Sequence, residues 1–446
     1  MKINRCSIIG LGKLGACMAA AIASKGFKVI GVDKDLDCIK SFNQRCAPIF
    51  EPGLEILLRK HGRNISATLD YEQAVLNTDI TFIVVPTPSK ANGEFSLHFV
   101  EQAAKSIGRA LSKKNSYHIV ALTSTVLPGS TRFSIKLTLE KISGKKCSKD
   151  FGLCYNPEFI ALGTVIHNLL NPDFVLIGES DKKAGSILEK FYLKICDNHP
   201  PVARMNFINA ELAKISVNSF ITTKITFANM LSEMTQRLPE GDIDVVTNAL
   251  GLDSRIGKRY LRGGLGYGGP CFPRDNAALA SIAKKLKVKS DIPVATDMFN
   301  RRIVQRLYDL VCSEAKGNKT VGILGLSYKP LSDVLEESQG FLLASKLLKA
   351  KVKVVIYDPL CIGELRVLFS DKAVYAKSLT DAVNLSDILV VANPDAEFMR
   401  LKKSDFSNLK RKIVLIDCWR LFRNRNFYEA TNLKYIPFGI GKIKRT

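Results

Sequence analysis

The sequence predicts an α/β chain: two doubly wound parallel-sheet domains joined by a long central helix and a helical middle domain. Three observations predict it. Short apolar runs alternate with amphipathic stretches over the first two hundred residues, the pattern of βαβ units. The same style returns after residue 320. Between them Leu212, Ile215, Phe220, Ile221, Phe227, Met230, Leu231 and Met234 recur at helical spacing over residues 209–238. Domain limits are expected at 1–203, 204–310 and 311–446.

In the first domain the expected strands are 7–9, 29–32, 80–85, 118–122, 152–155 and 174–177. The first runs into Gly10-Leu11-Gly12-Lys13-Leu14-Gly15, which opens an apolar helix. Asp33 follows 21 residues after Gly12, at the end of the next strand. Gly10 makes the tight turn, Gly12 admits a pyrophosphate to the backbone, and Gly15 lets the helix pack on the strand. The helix N-terminus offers unpaired N–H groups to the phosphates. Asp33 suits ribose hydroxyls and opposes a 2′-phosphate. The context is Rossmann-like and implies NAD. Thr123-Ser124-Thr125 and Asn156-Pro157-Glu158-Phe159 each follow a strand, at the edge where α/β ligands bind. Read alone, either serves equally as a cap or turn.

The central helix needs a partner, another domain or another subunit. Lys214 and Asn218, four apart, share one of its faces; alone they read as a solvated stripe. The run 263–275, Gly-Gly-Leu-Gly-Tyr-Gly-Gly-Pro-Cys-Phe-Pro-Arg-Asp, holds five glycines in its first seven residues. Such a run costs chain entropy unless backbone approaches a ligand or takes positive φ. It ends at Cys271, ahead of a helix expected over 276–286. A thiol before a helix N-terminus is biased toward thiolate, and Asp275 in the first turn could orient water or act as base. The competing reading is a flexible loop with an incidental cysteine. In the last domain, strand 321–326 runs into a glycine turn, helix 338–348 follows, strand 352–357 ends at Asp358, and further strands are 388–392 and 413–417.

Composition narrows the class. The chain has 446 residues, 46% hydrophobic and 24% charged, so it can bury a sizeable core. No apolar run approaches the ~20 residues of a membrane helix, and the start does not read as a secretory signal. Eleven cysteines without a CxxC pair argue against disulfides or zinc, and point to a reducing, cytoplasmic compartment. The five histidines are scattered, so no metal is expected. The net charge is +23. It is dispersed and not interleaved with aromatics, which argues against nucleic acid and suits polyanionic small ligands.

Together these residues resemble the UDP-glucose/GDP-mannose dehydrogenase family, most closely its UDP-glucose 6-dehydrogenase branch. The matching phrases include 10–15, 48–54, Pro86-Thr87-Pro88-Ser89, Ser124-Thr125-Val126, 156–159, Asn171-Pro172-Asp173, 210–218, Arg255-Ile256-Gly257, 268–275, Gly325-Leu326-Ser327-Tyr328-Lys329 and Tyr357-Asp358-Pro359. The resemblance implies two Rossmann-like domains, a dimer through the long helix, and four-electron oxidation with two NAD used in turn. It implies Cys271 as nucleophile, with Lys214 and Asp275 handling protons and water. Thr125, Glu158 and Asn218 would position substrate and water. The NAD set would be Gly10, Leu11, Gly12, Lys13, Leu14, Gly15, Asp33, Thr87, Ser124, Thr125 and Arg274. The nucleotide sugar would meet Glu158, Lys214, Asn218, Tyr260, Gly264, Gly266, Gly268, Tyr328, Lys329 and Arg420, with Arg255 reaching it from a neighbouring subunit.

Three positions depart from the family pattern: Leu162 in place of a second glutamate, Glu336 in place of arginine, and Cys38 in place of a basic residue. The resemblance implies oxidation of UDP-glucose to UDP-glucuronate. GDP-mannose or a UDP-N-acetylhexosamine are sister substrates, and a catalytically silent nucleotide-sugar-binding regulator is the reading from another class.

Overall fold

The structure, a computed structural model, describes residues 3–407, 409–425 and 427–441. The chain divides into two compact units: Met1–Val217 with Ser281–Lys287, and Asn218–Ala280 with Val288–Thr446. The helical middle, expected as a domain of its own, is divided between them.

In the first unit the strands are β1 (Arg5–Ile9), β2 (Lys28–Val32), β3 (Ile65–Thr68), β4 (Ile80–Ile83), β5 (His118–Leu122), β6 (Phe151–Tyr155), β7 (Val175–Glu179) and β8 (Val202–Met205). They form one sheet in the order β3-β2-β1-β4-β5-β6-β7-β8. All neighbours are parallel except β6 and β7, so β7 and β8 run against the other six. Successive side chains face opposite layers: Ile8 joins one apolar core with Phe82 and Phe191, Ile9 the other with Val120 and Leu153. Burying a side chain of this size contributes about 1.5–3 kcal/mol.

In the second unit the strands are β9 (Val321–Leu324), β10 (Val354–Tyr357), β11 (Val374–Tyr375), β12 (Ile388–Val391), β13 (Ile413–Asp417) and β14 (Leu433–Pro437). All neighbours are parallel, in the order β11-β10-β9-β12-β13-β14. This repeats the first six strands of the other sheet. The turn is repeated too. Gly10 and Gly325 have φ of +97° and +84°, and each donates its N–H to the end of the second strand, Val32 O and Tyr357 O. The next N–H, of Leu11 or Leu326, goes to Asp33 Oδ2 at 2.7 Å or Asp358 Oδ2 at 2.8 Å.

The long helix is Phe207–Arg237. Its buried positions are largely polar: Glu211, Lys214, Asn218, Thr222, Asn229, Ser232 and Thr235. Its exposed positions are mostly apolar, with Phe220 at 68%, Phe227 at 47% and Met234 at 52% accessibility. Among the described residues no helix is long and apolar enough to cross a membrane.

Candidate active site

The glycine turn of the first unit fits a dinucleotide. A Cβ on Gly15 would lie 1.8 Å from Gly10 O, and one on Gly10 2.6 Å from Val84 O, so packing requires both glycines. A Cβ on Gly12 would meet nothing within 4 Å. The space over Gly12 is open to a ligand. The helix Lys13–Ser24 starts there without a side-chain cap or an acidic residue in its first turn, leaving N–H groups for phosphate. Asp33 accepts from Leu11 N at 2.7 Å and Asp35 N at 3.0 Å, and keeps lone pairs for ribose hydroxyls. Cys38 Sγ lies 3.7 Å from Leu11 O, and burial followed by Asp33 and Asp35 pushes its thiol up to about 11; it brings no positive charge. Thr87 and Ser124 bind the loops to each other: Thr87 Oγ1 donates to Thr125 O at 2.8 Å, Ser124 Oγ to Val85 O at 2.6 Å.

Beyond β6, Glu158 sits in a hydrogen-bonded chain. The Tyr192 hydroxyl lies 2.6 Å from Asn156 Oδ1 and 2.7 Å from Glu158 Oε1. Asn156 Nδ2 donates to Leu176 O at 3.0 Å, so Oδ1 is purely an acceptor. A phenol has one proton and cannot fill two contacts that short, so the second comes from Glu158. Burial acts in the same direction, pushing the Glu158 carboxyl up to about 7 against the pull of the Lys214 charge. Lys214 Nζ donates to Glu158 O at 2.6 Å and lies 4.3 Å over the Phe159 ring. Leu162 packs on the apolar core.

In the second unit the cysteine helix spans Phe272–Lys285. It begins four residues earlier than expected, because Pro273 in the first turn needs no N–H partner. Cys271 is the exposed residue immediately before it. Asp275, in the first turn, is 1% exposed, and Asn218 Nδ2 donates to its Oδ2 at 2.6 Å. Arg274 Nε stands 3.8 Å from Asp275 Oδ1. An exposed thiol and a buried carboxylate therefore share one helix start, and an amide from the long helix binds the carboxylate.

The preceding glycines are also closely packed by protein. A Cβ would strike Trp419 at 2.9 Å from Gly264, Asn300 at 2.3 Å from Gly266, Glu337 O at 2.4 Å from Gly268 and Tyr328 at 2.6 Å from Gly269. Protein packing requires these glycines, and only Gly269 of the run has positive φ. Two buried amides hold the loop. Asn229 accepts from Gly264 N at 2.8 Å and donates to Leu265 O at 3.1 Å. Asn300 accepts from Tyr267 N and donates to Tyr267 O, both at 2.9 Å. Glu336 O accepts from Gly269 N at 2.9 Å.

The expected substrate residues are placed unevenly. Tyr260, with φ +64°, is exposed. Lys329 Nζ lies 5.7 Å from the Tyr328 ring. Arg255 is exposed and paired with Asp253 at 2.6 Å. The Arg420 side chain is 1% exposed and grips Asp244 through Nε and Nη2, both at 2.8 Å. It also donates to Gly263 O at 2.6 Å and Phe438 O at 3.1 Å. Arg420 thus ties Asp244, Gly263 and Phe438 together beside the glycine loop.

Sequence reasoning passed over Tyr192, Asn229 and Asn300. Asn229 continues the polar stripe of Lys214, Asn218 and Thr222 on the long helix, which was the available signal. Tyr192 and Asn300 lie in ordinary amphipathic pattern and give none. It also passed over Glu51, inside the phrase 48–54, which accepts from Gly163 N and Val165 N at 2.8 Å and anchors the loop after Glu158.

Residues 4–196 match the UDP-glucose/GDP-mannose dehydrogenase family, NAD binding domain; 208–302 its central domain; 322–424 its UDP binding domain. UDP-glucose 6-dehydrogenase AglM of Haloferax volcanii is 36% identical over 431 residues, covering 96% of this chain and 99% of that one. GDP-mannose 6-dehydrogenase of Pseudomonas aeruginosa is 35% identical over 424 residues, covering 89% and 93%. The solved structure of a UDP-glucose dehydrogenase from Pyrobaculum islandicum superposes with TM-score 0.89 at 30% identity, covering 99% of this chain and 98% of that one. The chain belongs to the UDP-glucose/GDP-mannose dehydrogenase family.

Proposed function

We propose that the protein oxidises the C6 hydroxymethyl of a nucleotide sugar, UDP-glucose first, to a carboxylate through a thioester on Cys271. The observation that carries this is the start of the cysteine helix, where an exposed thiol precedes a buried Asp275 held by Asn218. NAD, when bound, accepts the hydride of each oxidation. The open face of Gly12, the uncapped helix at Lys13 and Asp33 would hold it.

The rest follows from the side chains. The first oxidation turns the alcohol into an aldehyde. The Cys271 thiolate adds to the carbonyl carbon, and the carbonyl oxygen becomes the alkoxide of a thiohemiacetal. Loss of a second hydride gives the thioester. Water then adds, the carbon–sulfur bond breaks, and the carboxylate leaves with the thiolate restored. Overall an alcohol and one water give a carboxylate, two hydrides and three protons. Lys214 supplies positive charge to each oxyanion. Asp275, oriented by Asn218, takes a proton from the hydrolytic water. Glu158 stores a proton near neutrality. Thr125, Tyr260, Tyr328 and Lys329 contribute to holding the ligands, and Arg255 acts on the site of a second copy. The division of labour over 1–203, 204–310 and 311–446 is part of the same reading.

The apolar outer stripe of the long helix, with Phe220, Phe227, Met230 and Met234, supports a homodimer. The thiol content supports a cytoplasmic location. The test is to mix the purified protein with NAD and, separately, UDP-glucose, GDP-mannose and a UDP-N-acetylhexosamine, following reduced cofactor. Two NAD reduced per UDP-glucose is expected. GDP-mannose as the preferred substrate would change the sugar nucleotide, and no reduction with any would leave a silent binding protein.

A further inference from the structure

The loop after β5 carries Thr125 and runs to a wide turn at Thr131–Ile135 that leads into the helix Lys136–Ser143. Its start is fastened by Ser124 on Val85 O and by Thr87 on Thr125 O. Its far end has no comparable packing on one side. There Leu127, Pro128, Gly129, Ser130 and Phe133 border a cavity of about 540 Å³. Ser130, which precedes the turn, makes no capping hydrogen bond with its side chain.

On the other side stands Glu211, fully buried on the long helix one turn before Lys214. Its Oε2 accepts from Gly129 N at 2.6 Å and its Oε1 from Thr131 N at 2.7 Å. We propose that Glu211 is a positioning residue for the oxidation, a latch that fixes the Thr125 loop in register with Lys214 by gripping its far end. One carboxylate satisfies two backbone donors at the head of a turn. Because it hangs from the helix that carries Lys214, it couples the loop's position to that ammonium. Burial raises the Glu211 carboxyl above its ordinary range, against the pull of the Thr131 and Gly129 N–H groups. A carboxylate kept at that cost with backbone partners is an expensive residue for mere filling. The role rests on the proposed reaction, since it assigns Thr125 and Lys214 to one reacting site.

The test is Glu211→Gln, whose amide keeps the shape but offers one acceptor where two are needed. With the nucleotide sugar that the wild type oxidises, kcat should fall by roughly 10- to 100-fold, the scale of a small misplacement. KM for the nucleotide sugar should stay within about two- to three-fold. Hydrogen exchange followed by mass spectrometry should speed up in the peptide over 124–135 and stay unchanged in β1, β4 and β5. Unchanged kcat, or faster exchange throughout the sheet in step with lost activity, would overturn the latch. If the glutamine variant does not fold, Glu211→Asp, with the charge on a shorter arm, is read the same way. If the wild type oxidises no nucleotide sugar, the proposed reaction fails, and the exchange arm still decides whether Glu211 orders the loop.

Discussion

Replacing Glu158 by glutamine should change how stability depends on pH. The Glu158 carboxyl has an ordinary value of 4.5 and is raised to about 7 in the folded chain. Below pH 4.5 it is protonated in both states and costs nothing. Between 4.5 and 7 the unfolded chain ionises while the folded chain keeps the proton, so stability falls as pH rises. Above 7 both are ionised and the cost is constant. A gap of about 2.5 pH units at 1.36 kcal/mol each amounts to about 3 kcal/mol. Glu158 is only half-buried, so screening by water trims this to about 2 kcal/mol. Glutamine resembles the protonated acid, still donates to Tyr192, and never ionises. Urea unfolding of both proteins at pH 4.5 and pH 8 is the assay. Relative to wild type, Glu158→Gln should gain about 2 kcal/mol on going to pH 8. A difference constant to within about 0.5 kcal/mol would refute the shared-proton reading of Glu158, Tyr192 and Asn156.

Cys271→Ser should nearly abolish turnover while NAD and nucleotide sugar still bind by calorimetry, because serine is a far weaker nucleophile at neutral pH and its ester hydrolyses less readily. Retention of more than roughly a tenth of kcat, a loss under ~1.4 kcal/mol, would remove covalent catalysis from this residue. The ratio of kcat/KM for NAD over NADP should favour NAD, since Asp33 opposes a 2′-phosphate; a preference for NADP would sink that role. Light scattering at low micromolar concentration should find a dimer, and Phe227→Asp should yield monomers; a stable, active wild-type monomer would refute the interface. Asn300→Ala should destabilise the second unit by about 1–3 kcal/mol, seen as a lower Tm, because it strands the Tyr267 N–H and C=O; an unchanged Tm would show that the amide is dispensable.

What the sequence made legible divides along physical lines. Strands buried on both faces, such as β4, β5, β12 and β13, are nearly continuous apolar runs and were readable within a residue or two. The strands passed over, β3, β8, β11 and β14, are the four sheet edges. They are short or half-exposed, as in Val-Ala-Arg-Met of β8, so no period marks them. The glycine loop announced itself, but its close packing did not: the side chains that crowd Gly264 and Gly266 come from Trp419 and Asn300, remote in sequence. The pairing of Arg420 was hidden for the same reason, since its partner Asp244 lies 176 positions away.

The repeated turn makes the chain its own control. The same bond, from the N–H after the glycine to the aspartate at the end of the second strand, occurs once in each unit. Asp33 is left half-open, whereas Asp358 is 3% exposed and receives four backbone N–H groups, from Leu326, Ser327, Leu360 and Cys361. Four donors saturate both oxygens, and none of their capacity remains for a ribose. One architecture thus appears twice, once left partly open and once closed on itself. The energetic worth of the turn as scaffolding is readable at Asp358 without interference from a bound dinucleotide. On the proposed reading, whatever Asp33 contributes beyond that belongs to the cofactor.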